Sequence, residues 1–342
     1  MQPGKLRGLA RMADDTGHLC MLAIDQRPPL LDLVRRTGSA DTVAEVVALK
    51  SLVVEELQSH ASAVLIDPWV ALGLYGDVDP RRGLLLTLEH HCFDEQPDGR
   101  RSTHIPDWSV ERIARAGADG VKLLAWYRPD AAPEVRDHQE RFVEAVGAAC
   151  VEHDIPFVFE LLLYPLATDS GTAPVADDPV LRSRMVLESV ERFADPRFAV
   201  DLFKVESPVP AASIPDPAAD PAADPAASDG SCAATFAELD RLVDRPWVLL
   251  SGGHDRVSFG RALHYACAAG ASGFLAGRSI WWDAVCHHPD LPAVRAHLRS
   301  DAAPFLDEVS GFVQAHAPSW RDRARRLGPA VVDDLPAGGP PW

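Results

Sequence analysis

Apolar residues along the chain gather into eight short, nearly continuous runs, separated by stretches in which apolar positions recur at helical spacing. The runs are Cys20–Ile24 closed by Asp25, Ala63–Ile66 closed by Asp67-Pro68, Gly83–Leu88, Val121–Trp126, Pro156–Leu162, Ala199–Glu206, Pro246–Ser251, and Ser272–Ala276 leading into Gly277-Arg278. Continuous rather than alternating runs of this length are expected of parallel strands covered on both faces. The stretches between predict helices: Leu6–Met12, one capped by Asp41-Thr42 and running towards His60, one from Val110 capped by Ser109, then Asp137–His153, Val180–Phe193, Thr235–Val243, Arg256–Ala269, and helical chain to about Leu327. Eight strands alternating with helices predict an α/β chain folded as a single (β/α)8 TIM barrel over residues 1–330. A doubly wound open sheet is the alternative, but no G-x-G-x-x-G follows the first strand.

Two stretches break the pattern. Residues 210–231 repeat Asp-Pro-Ala-Ala from Asp216, Asp220 and Asp224; no core forms from these residues, so an extended or mobile inserted loop is expected. The C-terminal tail, 331–342, is rich in Pro and Gly and is expected to be loosely held.

Composition narrows the classes of function. The chain has 342 residues, is 47% hydrophobic, and carries a net charge of -17, which disfavours nucleic acid and anionic membrane as general partners. No apolar run reaches the roughly 18 residues that span a bilayer, and residues 1–13 lack the apolar stretch of a signal peptide. Six scattered cysteines without a C-x-x-C pair fit reduced thiols and a cytoplasmic location. A homo-oligomer is left open: the helical region Phe305–Ala315 can build an interface or, more simply, pack on the barrel. His287-His288 reads as surface.

The candidate chemistry lies in the lysines. Of 33 basic residues only four are lysines, and Lys122 and Lys204 both sit inside apolar strands. Arginine keeps its proton and forms no imine, whereas a desolvated lysine can lose its proton and form one; a lysine held in a structural ion pair is the plain alternative. In a barrel of this type function sits at the C-terminal ends of the strands. Those positions hold Asp25, Lys122, Glu160 and Lys204, two lysines and two carboxylates suited to amine catalysis, in which a neighbouring ammonium and burial favour the neutral nucleophile. Ser251-Gly252-Gly253 after the seventh strand and Gly277-Arg278 after the eighth suit a phosphate, bound by backbone N–H groups and a guanidinium.

The segments Leu22–Arg27, Gly117–Leu124, Phe203–Glu206, Pro246–Ser251 and Gly270–Arg278 together resemble the class I tagatose 1,6-bisphosphate aldolases and their relatives, the sulfofructosephosphate aldolases. The resemblance runs over roughly residues 6–290 and implies a metal-free barrel that cleaves a phosphorylated ketose. It implies Lys204 as the Schiff-base lysine, Glu160 as the proton-transfer carboxylate, and Lys122 and Asp25 beside the reacting hydroxyl. Ser251, Gly252, Gly277 and Arg278 match the phosphate site, and Gln26 and Arg27 match substrate contacts. The products implied are dihydroxyacetone phosphate and an aldehyde; a sulfonated substrate, sulfofructose 1-phosphate, is the alternative. The insertion at 210–231 and Trp69 after the second strand depart from the family pattern on the active-site side. Three rivals stay open: a metal-dependent lyase using Glu89-His90-His91 with Asp94 or His254-Asp255, a non-catalytic sugar-phosphate-binding regulator, and another imine chemistry on the same barrel.

Overall fold

Each of the eight apolar runs forms a strand, and the strands close into a parallel barrel. The structure, a computed structural model, describes residues 2–38, 41–69, 76–96, 98–166, 169, 177–219 and 231–326. In chain order the elements are α1 (Pro3–Met12), β1 (Leu19–Ala23), α2 (Pro28–Arg36), α3 (Thr42–Leu57), β2 (Ala63–Ile66), β3 (Gly83–Thr87), the short strands β4 (Asp94–Gln96) and β5 (Gly99–Arg101), α4 (Val110–Arg115), β6 (Gly120–Trp126), α5 (Pro133–Glu152), β7 (Phe157–Leu162), α6 (Pro179–Phe193), β8 (Leu202–Val205), α7 (Cys232–Leu242), β9 (Trp247–Leu250), α8 (Arg256–Ala269), β10 (Gly273–Ala276), α9 (Arg278–Val285), α10 (Leu291–His297), α11 (Ala303–His316) and α12 (Trp320–Arg326). The barrel closes in the order β1-β10-β9-β8-β7-β6-β3-β2, with every neighbouring pair parallel.

Alternation along each strand divides the side chains between two cores. Val121, Leu123, Ala125, Phe157, Phe159, Phe203 and Val205 face outward under the helices. Met21, Ala23, Leu65, Leu85, Val158, Leu202, Val248 and Leu275 fill the barrel's interior, joined by Leu9 and Met12 of α1 and by Trp320. The interior apolar cluster and α1 thus close the barrel at its N-terminal end, and polar inward positions remain only towards the C-terminal mouth.

Lysine placement follows this division. All four lysines are at most 4% exposed, and each meets a carboxylate. Lys5 of α1 lies 2.7 Å from Asp201, just ahead of β8. Lys50 of α3 pairs with Asp67 after β2. Lys122 and Lys204 stand in the mouth.

Several sequence expectations need correction. Pro28-Pro29 starts α2, which the sequence reading passed over, because proline is tolerated in a helix's first turn. The hairpin β4–β5 carries Asp-Glu-Gln against Gly-Arg-Arg and offered no apolar signal. His288, expected at the surface, is 7% exposed and lies 2.7 Å from Glu45. The first part of the 210–231 segment is built into the barrel: Ala211–Ser213 form one 3-10 turn and Ile214 is 3% exposed. Residues 220–230 and the tail 331–342 lie outside the described residues. Five residues of α11, Ala303, Leu306, Val309, Ser310 and Val313, are buried within the chain, as expected if this helix packs on the barrel.

Burial of every lysine gives a direct test. A small amine-acylating reagent applied briefly to the folded protein should modify the N-terminal amine and leave Lys5, Lys50 and Lys122 intact, with Lys204 the first lysine to react. Peptide mass spectrometry after denaturation in urea should find all four modified. Early labelling of Lys5 or Lys50 in the folded state would contradict their placement.

Candidate active site

Strand register assembles the site. Lys122 lies opposite Thr87 on β3, and Glu160 lies opposite Lys204 on β8 and opposite Leu124 on β6. Lys122 therefore sits one inward position below Glu160, and Glu160 stands beside Lys204. Lys122 Nζ donates to Asp25 Oδ2 at 2.8 Å and to Glu89 Oε1 at 2.7 Å. Glu160 Oε2 is 2.7 Å from the same nitrogen and 2.9 Å from Lys204 Nζ. This one carboxylate oxygen thus stands in ion-pair contact with both ammonium groups.

Charge balance sets the protonation of the lower lysine. Burial alone pulls the Lys122 pKa down, but Asp25, Glu160 and Glu89 together outweigh it and hold the ammonium well above its usual range. Burial pushes the Asp25 carboxyl up, and Lys122 and Lys204 outweigh that and hold it well below the usual range. Glu89 is itself fixed: Thr87 Oγ1 donates to its Oε1 at 2.7 Å, and the Leu124 N–H donates to its Oε2 at 3.0 Å.

Above this cluster opens a cavity of about 520 Å³ lined by Gln26, Glu160, Lys204, Ser251, Gly252, Gly253, Gly277 and Arg278, among others. Gly252 and Gly253 have φ of 59° and 80°, a left-handed turn that turns the chain after β9. A Cβ on Gly277 would lie 2.6 Å from Gln26 Nε2 and 2.7 Å from the Ala23 carbonyl, so only glycine lets the ends of β1 and β10 meet. Arg278 begins α9 directly behind it. The opposite wall carries Trp126 and Tyr164. Arg100 of β5 backs both, its guanidinium 4.8 Å and 5.2 Å from their rings and 4.2 Å from Phe93.

The structure brings together Asp25, Lys122, Glu160, Lys204, Gln26, Ser251, Gly252, Gly253, Gly277 and Arg278. Arg27, expected to contact the substrate, faces elsewhere: its Nη2 donates to the Glu89 carbonyl at 3.1 Å and its guanidinium lies over Trp69. Trp69 does not line this cavity and packs edge-on against His90 and His91. Sequence reasoning assigned no site role to the lining residues Trp126, Tyr164, Asp177, Arg182 and Glu206, gave His254 only as a possible metal ligand, and missed Glu89 as a partner of Lys122. Glu89 occupies the same strand-end position as Asp25 and was legible on that ground; its neighbours His90 and His91 drew it into a metal reading. That group does not form. Glu89 turns inward to Lys122, Asp94 is exposed in β4, and Asp255 caps α8 by accepting from Ser258 N–H. His90, His91 and Cys92 do lie close. The two imidazoles are stacked at 4.7 Å and 24°, and His90 Nδ1 accepts from the Cys92 N–H.

A closed barrel whose mouth sets two lysines among carboxylates, beside glycine turns and an arginine, is the arrangement of a lysine-dependent aldolase. Comparison with known sequences agrees. The DeoC/LacD family aldolase model matches residues 19–283, and the chain belongs to this family. The tagatose 1,6-diphosphate aldolase of Streptococcus agalactiae serotype V is 34% identical over 325 residues, covering 93% of this chain and 98% of that protein. The tagatose 1,6-diphosphate aldolase of Lactococcus lactis subsp. lactis is 32% identical over 327 residues, with the same coverage. Among solved structures, an archaeal fructose 1,6-bisphosphate aldolase superposes with a TM-score of 0.57 at 15% identity, covering 90% of this chain and 98% of that one. The fructose-bisphosphate aldolase of Plasmodium falciparum reaches 0.62 at 11% identity, covering 91% and 94%. At these identities the structural likeness concerns the fold.

Two predictions follow from the cluster's electrostatics. Asp25 has a folded pKa below its unfolded value, so its contribution to stability is fully present above about pH 4 and is lost as pH falls towards the lower folded value. Urea midpoints of the native protein and Asp25→Asn should differ at pH 7, and the difference should shrink at pH 3; a difference that persists unchanged would remove this ionic account. Glu89→Gln should lower kcat on the order of 10- to 100-fold, the range set by losing one charged hydrogen bond. Imine formation on Lys204 should persist in it, as read by borohydride trapping.

Proposed function

We propose that the protein is a class I aldolase that cleaves a phosphorylated ketose of the tagatose 1,6-bisphosphate type to dihydroxyacetone phosphate and an aldehyde. The observation that carries it is the division between the two lysines. Lys122 has three carboxylates around its ammonium and is held protonated. Lys204 touches one, Glu160, and faces the cavity. Lys204 is thus the amine free to attack, and Lys122 the fixed positive charge. In relatives, a fructose-1,6-bisphosphate aldolase from an archaeon has been captured with its catalytic lysine bound to the carbinolamine of the substrate.

The ketone-half phosphate sits at Ser251, Gly252, Gly253, Gly277 and Arg278, with Gln26 beside it. Arg27 acts behind the site by holding the Glu89 main chain. The neutral Lys204 amine attacks the C2 carbonyl, and the carbinolamine loses water with Glu160 as the proton donor, leaving an iminium. Glu160 or Asp25 then takes the C4 hydroxyl proton, the C3–C4 bond breaks, and its electron pair passes to the iminium to give an enamine and an aldehyde. Protonation at C3 and attack of water return dihydroxyacetone phosphate and the free amine. Lys122 stabilises negative charge as it develops on the C4 oxygen. No step calls for a metal. The intact set Asp25, Lys122, Glu160 and Lys204 argues against a purely binding role, since a binder needs no nucleophilic amine.

Borohydride reduction in the presence of dihydroxyacetone phosphate should leave an adduct on Lys204, and Lys204→Arg should fold yet lose turnover and trapping. Turnover by the folded Lys204→Arg protein, or an adduct on another lysine, would overturn the assignment.

A further inference from the structure

Three consecutive residues outside the cavity turn their side chains to one spot. His90, His91 and Cys92 follow β3 and precede the hairpin, and none of them lines the cavity. Successive side chains of an extended strand point apart. Here the chain bends at His91-Cys92, and the imidazoles of His90 and His91 stack with their centroids 4.7 Å apart. Each imidazole and the thiol can offer one ligand atom, and the three atoms lie within 4.8 Å of one another. The segment is anchored on both sides: Glu89 bridges to His104, the His90 N–H donates to the Thr103 carbonyl at 2.7 Å, and Asp94 opens β4. Trp69 packs edge-on against both rings.

The hydrogen bonding of the two imidazoles suits a ligand role. His90 Nδ1 lies 3.0 Å from the Cys92 nitrogen and 3.1 Å from the Cys92 carbonyl oxygen. The tautomer with its proton on Nδ1 donates to that carbonyl and leaves the Nε2 lone pair free, the state in which histidines commonly hold a metal. His91 Nδ1 is buried and has no hydrogen-bond partner among the described residues. The donor set is nitrogen and sulfur without a carboxylate, which selects a borderline-soft ion such as Zn2+ over Mg2+ or Ca2+. Arg27, whose guanidinium lies over Trp69, disfavours a dication that arrives without an anionic ligand, and the exposed Cys92 supplies one as its thiolate. Around a tetrahedral ion with bonds of about 2.0–2.3 Å the three donors would stand about 3.5 Å apart, so closure asks for about 1 Å of side-chain movement.

We infer that His90, His91 and Cys92 form a binding site for a borderline-soft divalent ion of the Zn2+ type, outside the catalytic cavity. On binding, the Cys92 thiol gives its proton to solvent, the thiolate and the two neutral imidazoles take three positions, and water holds the fourth. The ion braces the bend between β3 and the hairpin, next to Glu89, and takes no part in the imine chemistry. The inference stands apart from the aldolase reading.

The test loads the full chain, reduced and freed of metal with a chelator, with Zn2+ alone and with Co2+ alone. The native protein should take up one equivalent of Zn2+ in equilibrium dialysis, and Co2+ should bring up a thiolate-to-metal charge-transfer band. Cys92→Ser should lose that band. Cys92→Ser and His91→Ala should each weaken Zn2+ binding by at least about 10-fold, the lower end of the cost of removing even an outer partner of a metal ligand. Cys286→Ser, changed at the other exposed cysteine, should bind as the native protein does. Zn2+ should raise the urea midpoint of the native protein and leave that of Cys92→Ser where it is, as binding to the folded state requires. No uptake by the native protein, uptake that Cys92→Ser leaves unchanged, or a cobalt spectrum without the thiolate band would overturn the inference. The cobalt spectrum is read on the native protein alone and decides the matter if a variant fails to fold.

Discussion

One buried ammonium organises the mouth of the barrel. Lys122 draws Asp25 from the end of β1, Glu89 from the end of β3 and Glu160 from β7 to within 2.8 Å of its nitrogen. Three carboxylates packed this closely without a cation would repel each other and take up protons. With it, Asp25 stays ionised at the floor of the cavity and Glu160 is brought within reach of Lys204. Removing the charge of Lys122 would leave uncompensated buried anions, a change more costly than the loss of any one contact. In the proposed mechanism the reactive lysine thus depends on the unreactive one.

Closure of the barrel makes this arrangement attainable. Each strand presents alternate residues inward, and parallel register stacks those residues in layers. Leu202 below and Glu206 above share the inward face with Lys204, so hydrophobic core, amine and carboxylate follow one another along a single strand. The apolar layer beneath excludes water from the lower face of the cluster, and the polar layer above opens to substrate. A one-residue slip of β8 would turn Lys204 under the helices, which is why the Phe203 and Val205 packing on the outer face matters to the chemistry.

The legibility of these features in the sequence follows their physical origin. Eight strands could be read because parallel strands covered on both faces must be continuously apolar, and a lysine or carboxylate at the end of such a run stands out. Asp25, Lys122, Glu160 and Lys204 were visible on that basis, and Gly252, Gly253 and Gly277 because a chain that turns this tightly has few other residues to use. Arg182 left no such trace. It belongs to a helix, where arginine is ordinary, and its reach into the cavity depends on how α6 sits against the end of β8. The hairpin β4–β5 was hidden for a related reason. Its strands are polar, and its Arg100 guanidinium lies among three aromatic rings: Phe93 just ahead of β4, Trp126 at the end of β6 and Tyr164 after β7.

The protein's overall charge and the charge of its site point in opposite directions, and screening reconciles them. A net charge of -17 repels an anionic sugar phosphate at long range, but at physiological ionic strength that repulsion fades within about 8 Å. Inside the cavity Arg278 and Arg182 stand against low-dielectric walls, where each cation acts with little screening. The chain reaches this with few amines. All four lysines are withdrawn from solvent, and the positive charge the surface needs is carried by arginine, which forms no imine with a carbonyl. In the proposed mechanism, a single lysine lining the cavity confines imine chemistry to the place where Glu160, Asp25 and Lys122 can carry it forward.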